Sequence, residues 1–577
     1  MIQKISFQNY KAFEKGEIKL KPITILLGAN SVGKSSIINL LLMLQQTANS
    51  SNYKSALRLH GENVSMGECE NIFRNKDMDK NIVIDFELEN EKLKTYLSGY
   101  LPDFLFNQII EIYSFLKKRE QQKPNQIDIN ISTKKIKSKE QLLEYVSNIE
   151  ELRKKIEKKS SHGKEDKLIL SLCKVINKKN SIALLYDFIT EVNKIKNNIF
   201  KLSFEICIVK SNTEDVLKIC RISLSNEGKR IINIKFDFNN KNTFYDNITV
   251  TSDFIENKEL IDITTKEEFK QSIKYDSTIF SSISQNVDRW DRWDMLYFQH
   301  RFFLNDFFED DNNKSKHSIV TQILLQIINI SVESVKNQFK RELVNHVTPL
   351  RATPKRYYFL DKANINTILD TFDGNSLTEI LKEDENVKSK VNKWLETFGL
   401  TVNVDTLQDV IHKLKIHQHS LDLDIIDVGF GISQILPVIV QGFLSFENSL
   451  TMIEQPETHL HPKMQADLAD LFIDIVGAIP QSKLLRKATS NPQKFLLIET
   501  HSEYLLRRLR RRISEGKLLA KDVAVYFIEP PKNDCSSAEI KEKEVNDTGF
   551  FEYPKDFMDS ELEKDMISFI SQQLNKK

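Results

Sequence analysis

Apolar positions near the start of the chain recur at about every second residue. Ile2, Ile5 and Phe7, then Ile18 and Leu20, predict strands over residues 2–7 and 17–27. Past residue 36 the spacing changes: Ile37, Ile38, Leu40, Leu41, Leu42 and Leu44 crowd a helix on most of its sides, which predicts a buried one. Alternation returns over residues 82–88, 202–209, 219–224, 231–238 and 244–250, predicting an antiparallel sheet. Residues 101–200 are rich in Lys, Glu, Ile and Asn, and Leu142, Tyr145, Ile149, Leu152 and Ile156 recur at three and four. That spacing predicts a helical insertion, a short hairpin or small bundle turning at Ser160, Ser161, His162 and Gly163. The aromatic run Trp290, Trp293, Tyr297, Phe298, Phe302, Phe303, Phe307 and Phe308 fits one or two amphipathic helices, as core or as a partner surface. Residues 377–400 read as a charged helix. From Leu414 to about Ile528 strand and helix patterns alternate, which predicts parallel strands joined by crossover helices.

These patterns divide the chain into five parts. Residues 1–90 open an α/β head, 91–200 form the helical insertion, and 201–260 an antiparallel β-subdomain. Residues 261–340 are an aromatic-rich helical region, and 341–577 complete the head.

Composition narrows the function. Lys plus Arg number 82 against 81 Asp plus Glu, so nucleic acid cannot be held by a global positive charge and any such contact must be local. Arg507, Arg508, Arg510, Arg511 and Arg512 are the one concentrated basic run, suited to phosphate-backbone contact or to a salt-bridged helix. The five cysteines, Cys69, Cys173, Cys207, Cys220 and Cys535, form no Cys-x-x-Cys pair, which argues against a disulfide framework and for a reducing cytoplasm. His412, His417, His419, His459 and His461 lack the spacing that closes a zinc site. The first ten residues lack the apolar core of a signal peptide. The stretches 435–440 and 471–479 fall well short of the roughly 20 residues a membrane span needs.

The sharpest chemistry is a glycine loop. Gly28-Ala29-Asn30-Ser31-Val32-Gly33-Lys34-Ser35, followed by Ser36, satisfies G-x-x-x-x-G-K-[ST] between a predicted strand and helix. Backbone N–H groups of such a loop face an anion, Lys34 neutralises β/γ phosphate charge, and Ser35 can ligate Mg²⁺.

Two later strands deliver polar clusters to one sheet edge. Residues 449–454 end in Glu454, a carboxylate placed to order Mg²⁺, followed by Gln455, Pro456, Glu457, Thr458, His459, Leu460, His461 and Pro462. Residues 495–498 lead into Glu499, Thr500, His501 and Ser502. Upstream, Asp427 to Gln434 precedes an apolar helix, where Gly429, Gly431 and Ser433 can present donors at a helix start.

On these residues the chain resembles ABC-type AAA ATPases related to RecF, SMC proteins and the OLD family. It is similar in particular to bacterial ATPases that share Pro349-Leu350-Arg351, Arg356-Tyr357-Tyr358, the run from Glu454 to Pro462, and Glu499-Thr500-His501-Ser502-Glu503. The resemblance covers residues 1–90 and 340–555 and leaves out the insertion. It implies an ABC-type P-loop ATPase head binding ATP and Mg²⁺, with a signature-like loop at Gly431, Ser433 and Gln434 and a switch histidine at His501. It further implies a head-to-tail homodimer or higher oligomer, and a role as ATPase subunit of an anti-phage system. Two departures qualify it. Gln455 stands where ABC ATPases carry the water-polarising glutamate, and an amide cannot accept a proton. Glu457 acting through a water, Gln455 as a positioning group, and slow or absent hydrolysis are the readings left open. The tail after His501 has no room or clear Asp-x-Asp pair for a Toprim nuclease, so an effector such as a nuclease would be a separate chain. A nucleotide-gated scaffold and a DNA-maintenance ATPase that contacts double-stranded DNA stand as alternatives. Arg351 and Arg356 are either anion contacts or structural pairs.

Overall fold

The computed structural model describes residues 2–50, 55–120, 138–159, 179–210, 215–238, 245–255, 260, 279, 319–359, 369–370, 374–408, 410–477, 494–533, 536–552, 568 and 571–572. It contains two compact units, residues 1–49, 59–77 and 338–577 in one and residues 50–58 and 78–337 in the other. The break expected at residue 90 therefore falls earlier. Ile82–Glu89 belongs with the inserted unit, whose sheet it joins.

In the first unit, β1 (Ile2–Tyr10) pairs antiparallel with β2 (Phe13–Lys19). The single strand expected over residues 17–27 is two, because β3 (Ile23–Gly28) starts afresh after Pro22. Pro22 has no N–H to extend a ladder, and the Lys21 N–H turns instead to the Thr24 hydroxyl, 3.0 Å away. Alternation at Ile18 and Leu20 hides this break.

β3 lies inside a six-stranded sheet with β4 (Val344–Val347), β9 (Leu450–Glu454), β10 (Phe495–Glu499), β11 (Val523–Glu529) and β12 (Glu539–Lys543), in the order β12-β11-β3-β10-β9-β4. Only β12 runs antiparallel. Every residue of β3 is buried, as a parallel strand covered on both faces requires. The helix that follows, α1 (Lys34–Ala48), is buried on nearly all sides, as its apolar density predicts.

The alternation past Leu414 has a second origin as well. β6 (Leu400–Gln408), β7 (Ile411–Gln418) and β8 (Leu421–Asp424), with the short β5 (Tyr358–Phe359), form a separate antiparallel sheet. The parallel pattern begins only with β9. α2 (Gly374–Glu383) and α3 (Glu385–Leu395) replace the one helix expected over 377–400, with the Asp384 side chain capping the second. α4 (Phe430–Leu444), α5 (Pro462–Val476) and α6 (Glu503–Ser514) cover the sheet. α6 buries Leu505, Leu506, Leu509 and Ile513, each worth about 1.5–3 kcal/mol of transfer free energy. Its arginines face acids: Arg508 bridges Asp467 and Asp470, Arg512 bridges Asp470 and Glu515, Arg507 meets Glu503, and Arg511 meets Glu515. Arg510 lies over the Phe550 and Phe551 rings. The basic run is thus a salt-bridged helix face.

In the second unit, Ile82–Glu89, Ile199–Lys210, Asp215–Asn226, Lys229–Phe238 and Tyr245–Thr251 pair consecutively and antiparallel. The helices Leu101–Glu120, Lys139–Lys159 and Lys179–Val192 pack together, with Leu142, Ile149 and Leu152 inside. The insertion is a small bundle rather than an extended coiled coil. The expected turn at 160–163 and the aromatic run at 290–308 lie outside the described residues. Ile319–Lys336 is a helix within the helical region expected over 261–340, and the stretch Ile319–Phe339 is long and apolar enough to cross a bilayer by length and composition. Ile323, Leu324, Ile327 and Ile328 are nonetheless buried to 1% exposure or less, as in a core helix.

Candidate functional site

The phosphate loop joins β3 to α1. Gly28 has φ +147° and Gly33 φ +112°, and a Cβ on Gly28 would lie 2.4 Å from the Ile528 carbonyl oxygen, so no side chain fits there. Ala29, Asn30 and Ser31 are exposed, and Ser31 also holds a positive φ of 64°. The Lys34 ammonium, 4% exposed, donates to the carbonyls of Gly28 and Ala29 at 3.0 and 2.7 Å and so closes the loop on itself. Burial lowers its pKa, opposed by the charges of Glu499 and Glu457. The exposed Ser35 hydroxyl donates to Glu499 Oε2 at 3.3 Å, and Lys34 Nζ lies 3.8 Å from Glu499 Oε1. Ser36 accepts through its carbonyl from the Tyr10 hydroxyl at 3.1 Å.

Glu499 is the residue that sequence reading missed at this point. The signal was present, an apolar strand ending in a carboxylate, as at Glu454. Strand order decides the rest, since β10 lies directly beside β3 and β9 one strand further out. Glu454 and Glu499 are register partners at the ends of β9 and β10. Burial, then the Glu454 charge, pushes the Glu499 carboxyl up to about 7, against the pull of Lys34 and Ser35. Glu454 itself lies 2.7 Å from His346 Nε2, contributed by the four-residue β4, too short to show any periodicity.

Gln455 follows with φ 43°, its N–H on the Glu499 carbonyl at 2.8 Å, and the residue lines a cavity of about 500 Å³ with Asn30, Lys34, Ser35 and Glu499. Glu457 does not line that cavity. Its two oxygens accept from the Thr500 hydroxyl at 2.8 Å and the His501 N–H at 2.7 Å, and burial raises its pKa despite those bonds and the Arg351 charge. His501 is kept toward neutrality by burial and by Lys34, and its Nε2 is buried with no hydrogen-bond partner among the described residues.

Arg351 is a structural bridge. Its guanidinium, 6% exposed, donates to the carbonyls of Gln434 at 3.2 Å and Glu454 at 2.8 Å, joining the start of α4 to the end of β9. Arg356 pairs with Asp424 and Asp427. Neither contacts the cavity. At the signature-like loop the expectation for Ser433 changes. Its hydroxyl is turned back onto the Phe430 carbonyl at 2.7 Å, as helical serines do, and Ser433 and Gln434 are both buried. What the helix start exposes is Gly429 and Phe430, the latter 5.0 Å edge-to-face on His459. Gly431 is required there, because a Cβ would lie 2.6 Å from the His459 carbonyl oxygen.

The site fits a nucleoside triphosphate with a divalent cation. A glycine cradle admits no side chain, a desolvated lysine closes it, Ser35, Glu454 and Glu499 gather oxygen ligands at one edge, and the adjoining cavity has a ligand's size.

The chain is similar to two solved structures. One is the SMC head domain from Thermotoga maritima, at 6% identity over 94% of this chain and 98% of that one, with a TM-score of 0.31. The other is the Smc head domain with an extended coiled coil bound to the C-terminal domain of ScpA, from Pyrococcus furiosus, at 9% identity over 99% of each chain, with a TM-score of 0.33. No curated protein matches the sequence. The model of the AAA ATPase domain family matches residues 1–506, which includes the phosphate loop and both carboxylate strands. With its α/β P-loop head and that match over most of its length, the chain belongs to the AAA ATPase domain family.

Proposed function

We propose that this chain is an ABC-type, Mg²⁺-dependent ATPase whose nucleotide state switches the association of two heads. The convergence of Lys34 and Ser35 with Glu499, beside Glu454 on the next strand, carries the reading. Bound Mg²⁺·ATP supplies the phosphoanhydride to be cleaved. With the nucleotide bound, Lys34 would exchange its own loop carbonyls for phosphate oxygens, and Ser35 and Glu454 would hold the metal. Asn30, Ser31, Gly33 and Ser36 offer backbone donors around the phosphates. Gln455 orients the attacking water without accepting its proton, which makes turnover slow. Glu457 braces the His501 backbone, and the unpartnered His501 Nε2 reaches for the terminal phosphate. Gly431, with the exposed Phe430 and the buried Ser433 and Gln434 behind it, belongs to the face that meets a second copy.

Resemblance to defence ATPases supports a cytoplasmic role in an anti-phage system with a separate effector protein, such as a nuclease. Cys69, Cys207 and Cys220 form no disulfide among the described residues, in keeping with that reading. Gln455 also favours a second reading, a nucleotide-gated scaffold that binds but does not hydrolyse. The DNA-maintenance reading loses most of its arginine support, since Arg507, Arg508, Arg511 and Arg512 pair with acids and Arg510 lies over two phenyl rings.

Phosphate release by the purified protein, with and without double-stranded DNA, tests these readings beside Lys34→Ala and Gln455→Glu. Lys34→Ala abolishes ATP binding, and unchanged affinity would sink the site. Slow turnover that Gln455→Glu accelerates supports the ATPase. Binding without turnover, in wild type and in Gln455→Glu alike, selects the scaffold.

A further inference from the structure

We propose that Cys207 and Cys220, neighbours on two strands of the inserted unit, form an oxidation site that a peroxide converts to a disulfide; the inference goes beyond the nucleotide chemistry and does not depend on it. Strand register brings the two together. Ile199–Lys210 and Asp215–Asn226 pair antiparallel with Glu205 opposite Arg221, and the next pair is Ile206 with Ile219, so Cys220 is the extra residue of a β-bulge. In an unbroken register Cys220 would oppose Ile206, which is 0% exposed, and its thiol would enter the core face. The bulge frees it from that pairing. Cys220 is half-buried, as is Cys207, and its thiol donates to the Glu205 carbonyl oxygen at 3.3 Å. Glu205 and Cys207, two apart on one strand, share a face, and there the two sulfurs come within hydrogen-bonding reach of each other. Thiols in contact need only side-chain rotation to close a disulfide.

The surroundings are polar, unlike those of a cysteine that only fills a core. Arg221 bridges one Glu205 oxygen at 3.0 Å, and Asn81 donates to the other at 2.7 Å. The Arg221 Nε is buried with no hydrogen-bond partner among the described residues, and its charge favours a thiolate on the neighbouring Cys220. A proton offered by Cys220 holds the Cys207 thiol below its ordinary range against burial, while that same bond and burial raise Cys220. Cys207 is thereby the nucleophile and Cys220 the resolving thiol. No group of three or more His, Cys, Asp or Glu that could hold a metal ion occurs among the described residues, so the pair is not half of a metal centre. In the oxidation, the Cys207 thiolate attacks one peroxide oxygen and the O–O bond breaks. This leaves a sulfenic acid on Cys207 and a hydroxide, which takes the proton Cys207 gave up. The Cys220 sulfur then attacks the Cys207 sulfur, the S–O bond breaks, and the departing hydroxide leaves as water with the Cys220 proton. Two thiols are oxidised to one disulfide and the peroxide is reduced to two waters.

The full chain, reduced and then freed of reductant, is exposed to hydrogen peroxide, its remaining thiols are alkylated, and its tryptic peptides are read by mass spectrometry. Lys210 and Lys218 separate the two cysteines, so a bond between them appears as a joined pair of peptides. That pair should form at least about tenfold faster than the half-exposed Cys69 loses its thiol, and dithiothreitol should reverse it. Cys220→Ala should stop at a sulfenic acid on Cys207 that dimedone traps, and Cys207→Ala should leave Cys220 a free thiol. The wild-type chain decides by itself, whatever the variants do to folding. Oxidation of the pair no faster than that of Cys69 overturns the proposal. So do sulfinic or sulfonic acids in place of the bond, Cys220 joined to a different cysteine, or a bond that forms only in urea.

Discussion

Arg351 offers the most stringent test of how this head is held together. Its guanidinium is buried among backbone carbonyls, donating to Gln434 O at 3.2 Å and Glu454 O at 2.8 Å, with Gln455 O a longer 3.5 Å away. Burial pushes its pKa down to about 10, while the charges of Glu457 and Glu454 hold it up, so it remains a cation at neutral pH. Arg351→Ala removes the donors and leaves those carbonyls and both carboxylates less compensated. Breaking such a buried pairing costs about 3–5 kcal/mol. Because the bonds join the start of α4 to the end of β9, the loss should appear there first. Hydrogen exchange read by mass spectrometry on peptides covering residues 430–444 and 450–454 is the assay. At about 1.4 kcal/mol per tenfold, exchange in both peptides should rise more than about 100-fold, and residues 215–226 in the other unit should be unchanged. Arg351→Lys, a single point donor, should recover only part of the protection. Exchange within about threefold of wild type in both peptides would refute the bridge.

The other predictions probe charge and shape. Glu499 has a folded pKa raised to about 7 from its ordinary 4.5, so its ionisation destabilises the fold progressively as pH rises through that window. In metal-free, nucleotide-free protein, Glu499→Gln should therefore leave stability near pH 4 unchanged and raise it by about 3 kcal/mol above pH 8, in urea unfolding; a gain at acid pH instead would reverse the argument. Asp470, lowered below its ordinary value by Arg512 and Arg508 despite burial, contributes stability that is present above pH 4 and lost as pH falls through its folded value. Asp470→Asn should cost about 1–2 kcal/mol at pH 7, and the difference should vanish toward pH 2. Gly431→Ala sets a methyl 2.6 Å from the His459 carbonyl oxygen, so it should lower the melting temperature and expose the 457–461 turn to proteolysis.

What was legible in the sequence follows from how local each feature is. The phosphate loop could be read because strand, glycines, lysine and buried helix are contiguous, and backbone N–H groups need no distant partner to form the cradle. The carboxylate strands were legible one at a time. Which of them meets Lys34 depends on β10 lying between β3 and β9, and nothing in residues 449–454 or 495–499 encodes that order. For the same reason His346 was invisible, since a four-residue edge strand carries no period and gains meaning only from Glu454 beside it. The arginine run shows the converse. Its charge was obvious, but its neutralisation comes from Asp467 and Asp470 on α5, a helix whose own amphipathic pattern gives no hint of the pairing.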